Sequence, residues 1–250
     1  MQHAAEEEGA LAFFRAQHKA FSDTLSEWRG RADMVPALMS LACSSFEGNL
    51  AFQAEGQPEI ACHKGCSACC TVRVIATAPE VLLASRYIRS GESVFLATGI
   101  DLVEGIRQAD AATRHLSEKQ RIALRRRCPF ISRGICVIYP VRPLACRGHA
   151  SRDKKACADA AAGSIDSIPF SMPHMMVRSL IQNAIQSALR DFDVAWAVYE
   201  YNHALSIALS EQDCEKAWMD GKDVFAAAQV NDVNPGEMAE IFDSILGKRH

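Results

Sequence analysis

Between positions 62 and 70 the chain reads CHKGCSACC, four cysteines in nine residues with the last two adjacent. Thiols are nucleophilic and oxidisable, so a chain that crowds them pairs them as disulfides, loads them with metal or uses them in redox chemistry. Size and compartment decide between these. With 250 residues, 49% of them hydrophobic, the chain can build a substantial core and needs no disulfides to compensate for smallness. The first residues, MQHAAEEEGALAFF, are acidic where a secretory signal is basic, and no apolar run reaches transmembrane length. A cytoplasmic setting without a membrane partner is expected, where thiols stay reduced and clustered cysteines point to metal or redox chemistry.

The ten cysteines stand at 43, 62, 66, 69, 70, 128, 136, 146, 157 and 214. Eight form two sequence groups: Cys62, Cys66, Cys69 and Cys70, then Cys128, Cys136, Cys146 and Cys157. Two or three residues between ligands is the usual reach for a chain presenting two sulfurs to one ion. Gly65 lies inside the first turn, where positive φ is expected, and Pro129 removes an amide that would otherwise need a partner. Side chains alternate along extended backbone, so Cys69 and Cys70 are expected to face different ways. Two metals, a bridging sulfur, or one ligand beside a free thiol satisfy that constraint. Cys43 and Cys214, in apolar helical contexts, read as structural thiols.

The fold class expected is mainly α: an irregular cysteine-rich metal-binding core with short strands, wrapped by N- and C-terminal helices. Residues 1–58 form the N-terminal helices, 59–162 the cysteine-cluster domain, and 163–250 a C-terminal helical region packing on it. Leu11, Phe14, His18, Phe21 and Leu25 mark one face of the first helix, and a second covers Asp33 to about Gln53. The run TVRVIAT suits a short strand. Thr77, Pro79 and Glu80 make a capping box opening a helix to about Arg89. Another helix is expected from Val94 to His115, and Ser117 with Gln120 opens a short one before Cys128. The prolines and glycines of CPFISRGICVIYPVRPLACRG predict turns and short extended pieces rather than a helix. Later helices are expected at 152–161, 172–190, 194–211 and 236–246, the last capped by Asn234.

The pattern CHKGCSACC, then Cys128-Pro129, then Cys136, Ile138, Tyr139, Arg142, Pro143, Cys146 and Arg147, then Cys157, resembles the zinc- or iron-chelating cysteine-cluster family of the YkgJ type. The resemblance covers about residues 60–160. It implies a metal or iron–sulfur site built from Cys62, Cys66, Cys69, Cys70, Cys128, Cys136, Cys146 and Cys157. It implies little about activity. Flagellin lysine methylases carry a similar cluster, so a cluster-dependent enzyme, methyltransferase-like or redox, is the alternative to a metal-binding module. Zinc fills closed four-thiolate sites and a [4Fe–4S] cluster also takes four cysteines, so a zinc ion, an iron–sulfur cluster or one of each fits. Cys62, Cys66 and Cys69 also match the three-cysteine motif of radical S-adenosylmethionine enzymes. There Ala68 stands where an aromatic is usual, and no series of βα units follows.

Charge is uneven. Residues 114–155 carry twelve Lys/Arg against two Asp/Glu, while 156–250 carry six against fourteen. The basic belt includes Arg121, Arg125, Arg126, Arg127, Arg133, Arg142, Arg147, Arg152, Lys154 and Lys155. It suits a nucleic-acid or acidic protein partner, or it offsets the negative charge of a thiolate site and acidic flanks. His63 and His149 stand close enough to cysteines to replace one as ligand, though loop histidines are usually solvated. Tyr139 is placed either over the site or in the core with a bonded hydroxyl.

Overall fold

The computed structural model describes residues 2–165 and 167–248. The molecule is mainly helical. Helix α1 spans Gln2–Trp28 and α2 spans Met34–Gln53. Phe14, Phe21 and Leu25 are buried along one face of α1, and Leu38, Ala42 and Phe46 along one face of α2. Both pack on the long helix α8, Met172–Asp191, whose Val177, Ile181, Ala184, Ile185 and Ala188 complete the layer. The N-terminal helices therefore bury their apolar stripe against the C-terminal region, because each stripe alone would stay wet. No helix among the described residues is long and apolar enough to cross a membrane.

A second layer is organised by a two-stranded antiparallel ribbon. Strand β1, Ile75–Thr77, pairs with β4, Val198–Glu200, with Ile75 opposite Glu200 and Thr77 opposite Val198. Each strand feeds a helix directly: β1 into α3, Ala78–Ala97, and β4 into α9, Tyr201–Ser210. The ribbon thus sets α3 beside α9, and α4, Leu102–Thr113, packs on α9 as well. A buried carboxylate starts each of these two helices. Glu80 accepts from the Thr77 amide at 2.7 Å and the Thr77 hydroxyl at 2.8 Å. Glu200 accepts from the His203 amide at 2.8 Å and from Arg121 Nη1 at 2.9 Å. Arg121 belongs to α5, Glu118–Leu124, which opens on the expected Ser117–Gln120 capping box.

Three expectations need correction. The helix expected from Val94 to His115 is two: α3 continues to Ala97, Gly99 turns at φ 77°, and Asp101 caps α4 by accepting from the Glu104 amide at 2.9 Å. The helix expected from 194 begins only at Tyr201, because Val198 and Tyr199 pair with β1 instead. The proline-rich segment does contain a short helix, α6, Leu144–Gly148, started by Pro143 and held by the Leu144 amide donating to Glu80 at 2.7 Å. The remaining helices are α7, Lys154–Ala161, α10, Cys214–Met219, and α11, Pro235–Leu246, which opens at Asn234 as expected. The hydrophobic core is built mainly by the helices. The second cysteine segment contributes Phe130, Ile138 and Leu144 to it, with Cys128 and Cys136 packed against its edge.

Candidate metal centre

The first cysteine segment is a chain of turns between α2 and β1. The Cys66 amide donates to His63 O at 3.0 Å, Cys70 to Ser67 O at 3.1 Å and Val72 to Cys69 O at 3.3 Å. Gly65 sits at φ 90°, the left-handed region in which a side chain would be strained. Because the backbone turns at Ser67–Cys70, the alternation expected of extended chain does not apply. The Cys69 and Cys70 thiols instead stand close enough for Cys70 to be the largest influence on the titration of Cys69.

The second segment is brought against the first by main-chain bonds. The Cys128 amide donates to Cys70 O at 2.7 Å. Cys136 then returns through a hairpin in which β2, Ile131–Ser132, pairs with β3, Ile135–Cys136. Its two-residue turn, Arg133 and Gly134, has positive φ at both positions, the geometry that lets twisted strands reverse in two residues. Cys146 rides on α6, tethered to Glu80. Cys157 rides on α7, whose N-cap Asp153 accepts from the Ala156 amide at 2.9 Å. Ser151 ties that end to the first segment: its carbonyl accepts from the Ala61 amide at 2.8 Å and from the Cys62 thiol at 3.9 Å.

Electrostatic influence between thiols crosses the two sequence groups. Cys62 lies within electrostatic reach of Cys66, Cys69 and Cys157. Cys128 lies within reach of Cys146, Cys136 and Cys69, and Cys146 within reach of Cys69 and Cys136. Cys69 belongs to both sets. Cys157, last of the second sequence group, joins the first set because the bonds at Ser151 carry it there.

Burial pushes the thiols of Cys128 and Cys146 up to about 12, with neighbouring thiols adding to the shift. Cys69 is raised further, chiefly by the neighbouring Cys70 thiol and then by burial. At neutral pH these are protonated thiols, and no three Cys, His, Asp or Glu side chains among the described residues stand in a ready-made ligand arrangement. Thiols are the donors that soft metals take, and Arg142 acts on Cys69, Cys136 and Cys146 as a nearby cation. Closing a site requires loss of the thiol protons and rotation of the side chains.

The remaining candidates divide. Cys214 is buried, as expected of a structural thiol, while Cys43 is half-buried near Arg147 and Arg142. His63 is exposed and bonds Ala61 O at 3.0 Å. His149 is no solvated loop histidine, since its ring meets Phe170 edge-on at 5.1 Å. Tyr139 is 51% exposed, so it is not the buried aromatic expected. Its ring instead carries the Arg142 guanidinium at 4.1 Å.

The basic belt is not one patch. Arg114 pairs with Asp110, Arg121 with Glu200, Arg147 with Glu47 and Lys155 with Asp159. Arg125, Arg126, Arg127, Arg133 and Lys154 are exposed, and none forms an ion pair among the described residues. Glu80 and Ser151, which hold the segments in place, are not candidates on sequence grounds, since their partners lie 64 and 89 residues away. A shallow depression lined by Gln186, Trp196, Gln229 and Met238 includes no cysteine. Comparison of the chain with protein-family models, with curated proteins and with solved structures gives no match.

Proposed function

We propose that the protein is a cytoplasmic metal-binding module holding zinc or an iron–sulfur cluster through Cys62, Cys66, Cys69, Cys70, Cys128, Cys136, Cys146 and Cys157. One observation carries this reading. Thiols of two distant segments act on one another electrostatically, and the Cys128 amide bonded to Cys70 O joins those segments. The resemblance to the cysteine-cluster family supports it. A bound metal would neutralise the thiolates and cross-link loops that only a few main-chain bonds now join.

Anaerobic purification, elemental analysis and an absorption spectrum test the reading. We expect about one to two metal sites per chain, colourless if zinc and absorbing in the visible if iron–sulfur. Cys69→Ser should lose the most metal, because that thiol belongs to both sets. Cys70→Ser should lose less and Cys214→Ser none. Metal-free protein with every thiol titratable under anaerobic conditions, or full metal retention in Cys69→Ser, would end the proposal.

A further inference from the structure

Six exposed cations, Lys64, Arg125, Arg126, Arg127, Arg133 and Lys154, form no ion pair among the described residues. They come from separate parts of the sequence, yet contacts of the main chain gather them round the first cysteine segment. At its start, Ser151 O accepts from the Ala61 amide at 2.8 Å, and the Asp153 amide donates to Ser151 Oγ at 3.1 Å, which sets Lys154 there. In its middle, the hairpin tip carrying Arg133 comes down beside Lys64: a β-carbon on Gly134 would stand 3.9 Å from Gly65 O. At its end, the Cys128 amide donates to Cys70 O at 2.7 Å, so Arg127 adjoins Cys70. Lys154 opens α7, and Arg125 Nη2 bonds Ala162 O just past the other end of that helix. Eight residues rising about 1.5 Å each hold those two ends about 10 Å apart.

Residues 61–72, 125–136 and 154–163 together carry seven Lys/Arg and one Asp/Glu, Asp159, which pairs with Lys155 at 2.6 Å. The positive charge of this face is therefore unopposed. Offsetting thiolates does not call for it, since the half-buried Arg142 already acts on Cys69, Cys136 and Cys146. An acidic protein is the poorer fit. Stable protein interfaces bury an apolar centre, and Ile135 is the only large apolar side chain exposed in these stretches. A polyphosphate needs no such centre, because counterion release supplies its affinity, and about 10 Å takes about three phosphates of one strand. A platform for a base stands nearby. Tyr139 is 51% exposed and lies three residues past the hairpin, so within about 10 Å of it. Arg142 stacks on that ring at 4.1 Å, and its exposed remainder suits the stacking by which single strands are held.

We propose that these six cations form a docking surface for the phosphate backbone of a single-stranded nucleic acid, laid across the exposed turn at 63–65. The arginines supply charge-assisted bonds to phosphate oxygens, and the lysines add point charge at either side. The surface does not depend on the metal reading, since main-chain contacts place its cations and its demand is for negative charge.

Fluorescence anisotropy of a labelled oligouridylate of about a dozen nucleotides tests it, titrated with the full-length chain across a potassium chloride series. Saturable binding is expected at low salt. Log affinity should fall linearly with log salt at a slope of about −2 to −4, as for about three to six phosphates. Replacing Arg126 and Arg127 together with Gln should weaken binding about tenfold or more at low salt and make the slope shallower by about 1. Arg133→Gln at the hairpin tip should act in the same direction, which keeps the test decisive if the double variant folds poorly. Replacing Lys19 and Arg107 with Gln removes the same charge elsewhere and should leave binding intact. Metal content, measured on the same samples, should be unchanged, which separates this surface from the thiols. Absence of saturable binding at low salt overturns the proposal. So does equal weakening in the Lys19 and Arg107 variant, or a duplex of the same length bound as tightly as the single strand. Competition by polyglutamate as effective as that of unlabelled oligouridylate would assign the face to an acidic protein instead, and overturns it too.

Discussion

Glu80 joins three parts of the molecule through one carboxylate. One oxygen takes both donors of Thr77, and the other takes the Leu144 amide, so the same side chain starts α3 and holds the helix that carries Cys146. Burial raises its pKa, opposed by those three bonds and by Arg178. In Glu80→Gln the amide nitrogen must face one of these donors. That leaves a buried group unsatisfied and should cost about 1–3 kcal/mol in denaturant unfolding. The pH dependence follows from the raised pKa. Between the ordinary glutamate value and the folded value the native state binds more proton than the unfolded chain. The contribution of Glu80 is therefore complete below the ordinary value and is lost as pH rises through the folded one. The penalty of Glu80→Gln should accordingly be largest near pH 4 and shrink toward pH 8. A penalty that grows with pH would contradict the assigned direction.

At the scale of elements, the crossing of α6 over α8 is set by a missing side chain. A β-carbon on Gly148 would stand 2.5 Å from Arg178 Cβ and 3.0 Å from His174 O, both fixed parts of α8. Neither can yield as a flexible side-chain tip would. Gly148→Ala should therefore force the helices apart at a cost of about 1–3 kcal/mol, despite the better helix propensity of alanine. Gly9→Ala is the control. Gly9 lies on α1 with nothing within 4 Å, and alanine there should stabilise by about 0.5–1 kcal/mol. Equal thermal shifts in the two variants would mean that the crossing is loose.

Elements of this kind also show what the sequence makes legible. The capping boxes at Thr77 and Ser117 and the cap at Asn234 are readable because their partners lie within three residues. The stripe of Phe14, Phe21 and Leu25 is readable because burial on a helix repeats with its turn. The pairing of Ile75–Thr77 with Val198–Glu200 is not, since each three-residue strand is too short to signal its partner. The same distance hides the Arg121–Glu200 pair, 79 residues apart. For the cysteines, spacing along the chain picks out eight candidate thiols but not which of them act on one another in the fold. Cys157 changes set through bonds made by Ser151 to Ala61 and Cys62, and such main-chain contacts leave no trace in spacing.

On the scale of the whole molecule, the division between helical core and cysteine segments would determine how the proposed metal is coupled to folding. The core is assembled mainly from α1, α2, α3, α4, α8 and α9, with Phe14, Phe21, Ile88, Ile106, Ile185 and Leu205 buried, and the cysteine buried in it, Cys214, is not one of the eight candidate ligands. Hydrophobic burial of this kind needs no metal. The first cysteine segment is different. Residues 61–72 hold only turn bonds, and the second segment joins them through the Cys128 amide and the carbonyl of Ser151. No residue of 61–72 is fully buried, so local openings of that stretch expose little apolar surface and cost less than global unfolding. If the proposed metal is removed with a chelator under reducing conditions, the far-ultraviolet circular dichroism should stay within about a tenth of its original value, since the helices persist. Hydrogen exchange should change unevenly: amides of 61–72 and 128–157 should exchange faster by about tenfold or more, while those of α8 keep their protection. The amides of Cys70 and Cys128 are the most informative, because both are bonded at the junction of the two segments. Uniform acceleration that includes α8 would show the metal supporting the core itself. Unchanged exchange at Cys70 and Cys128 would show that those thiols hold nothing that the chelator removes.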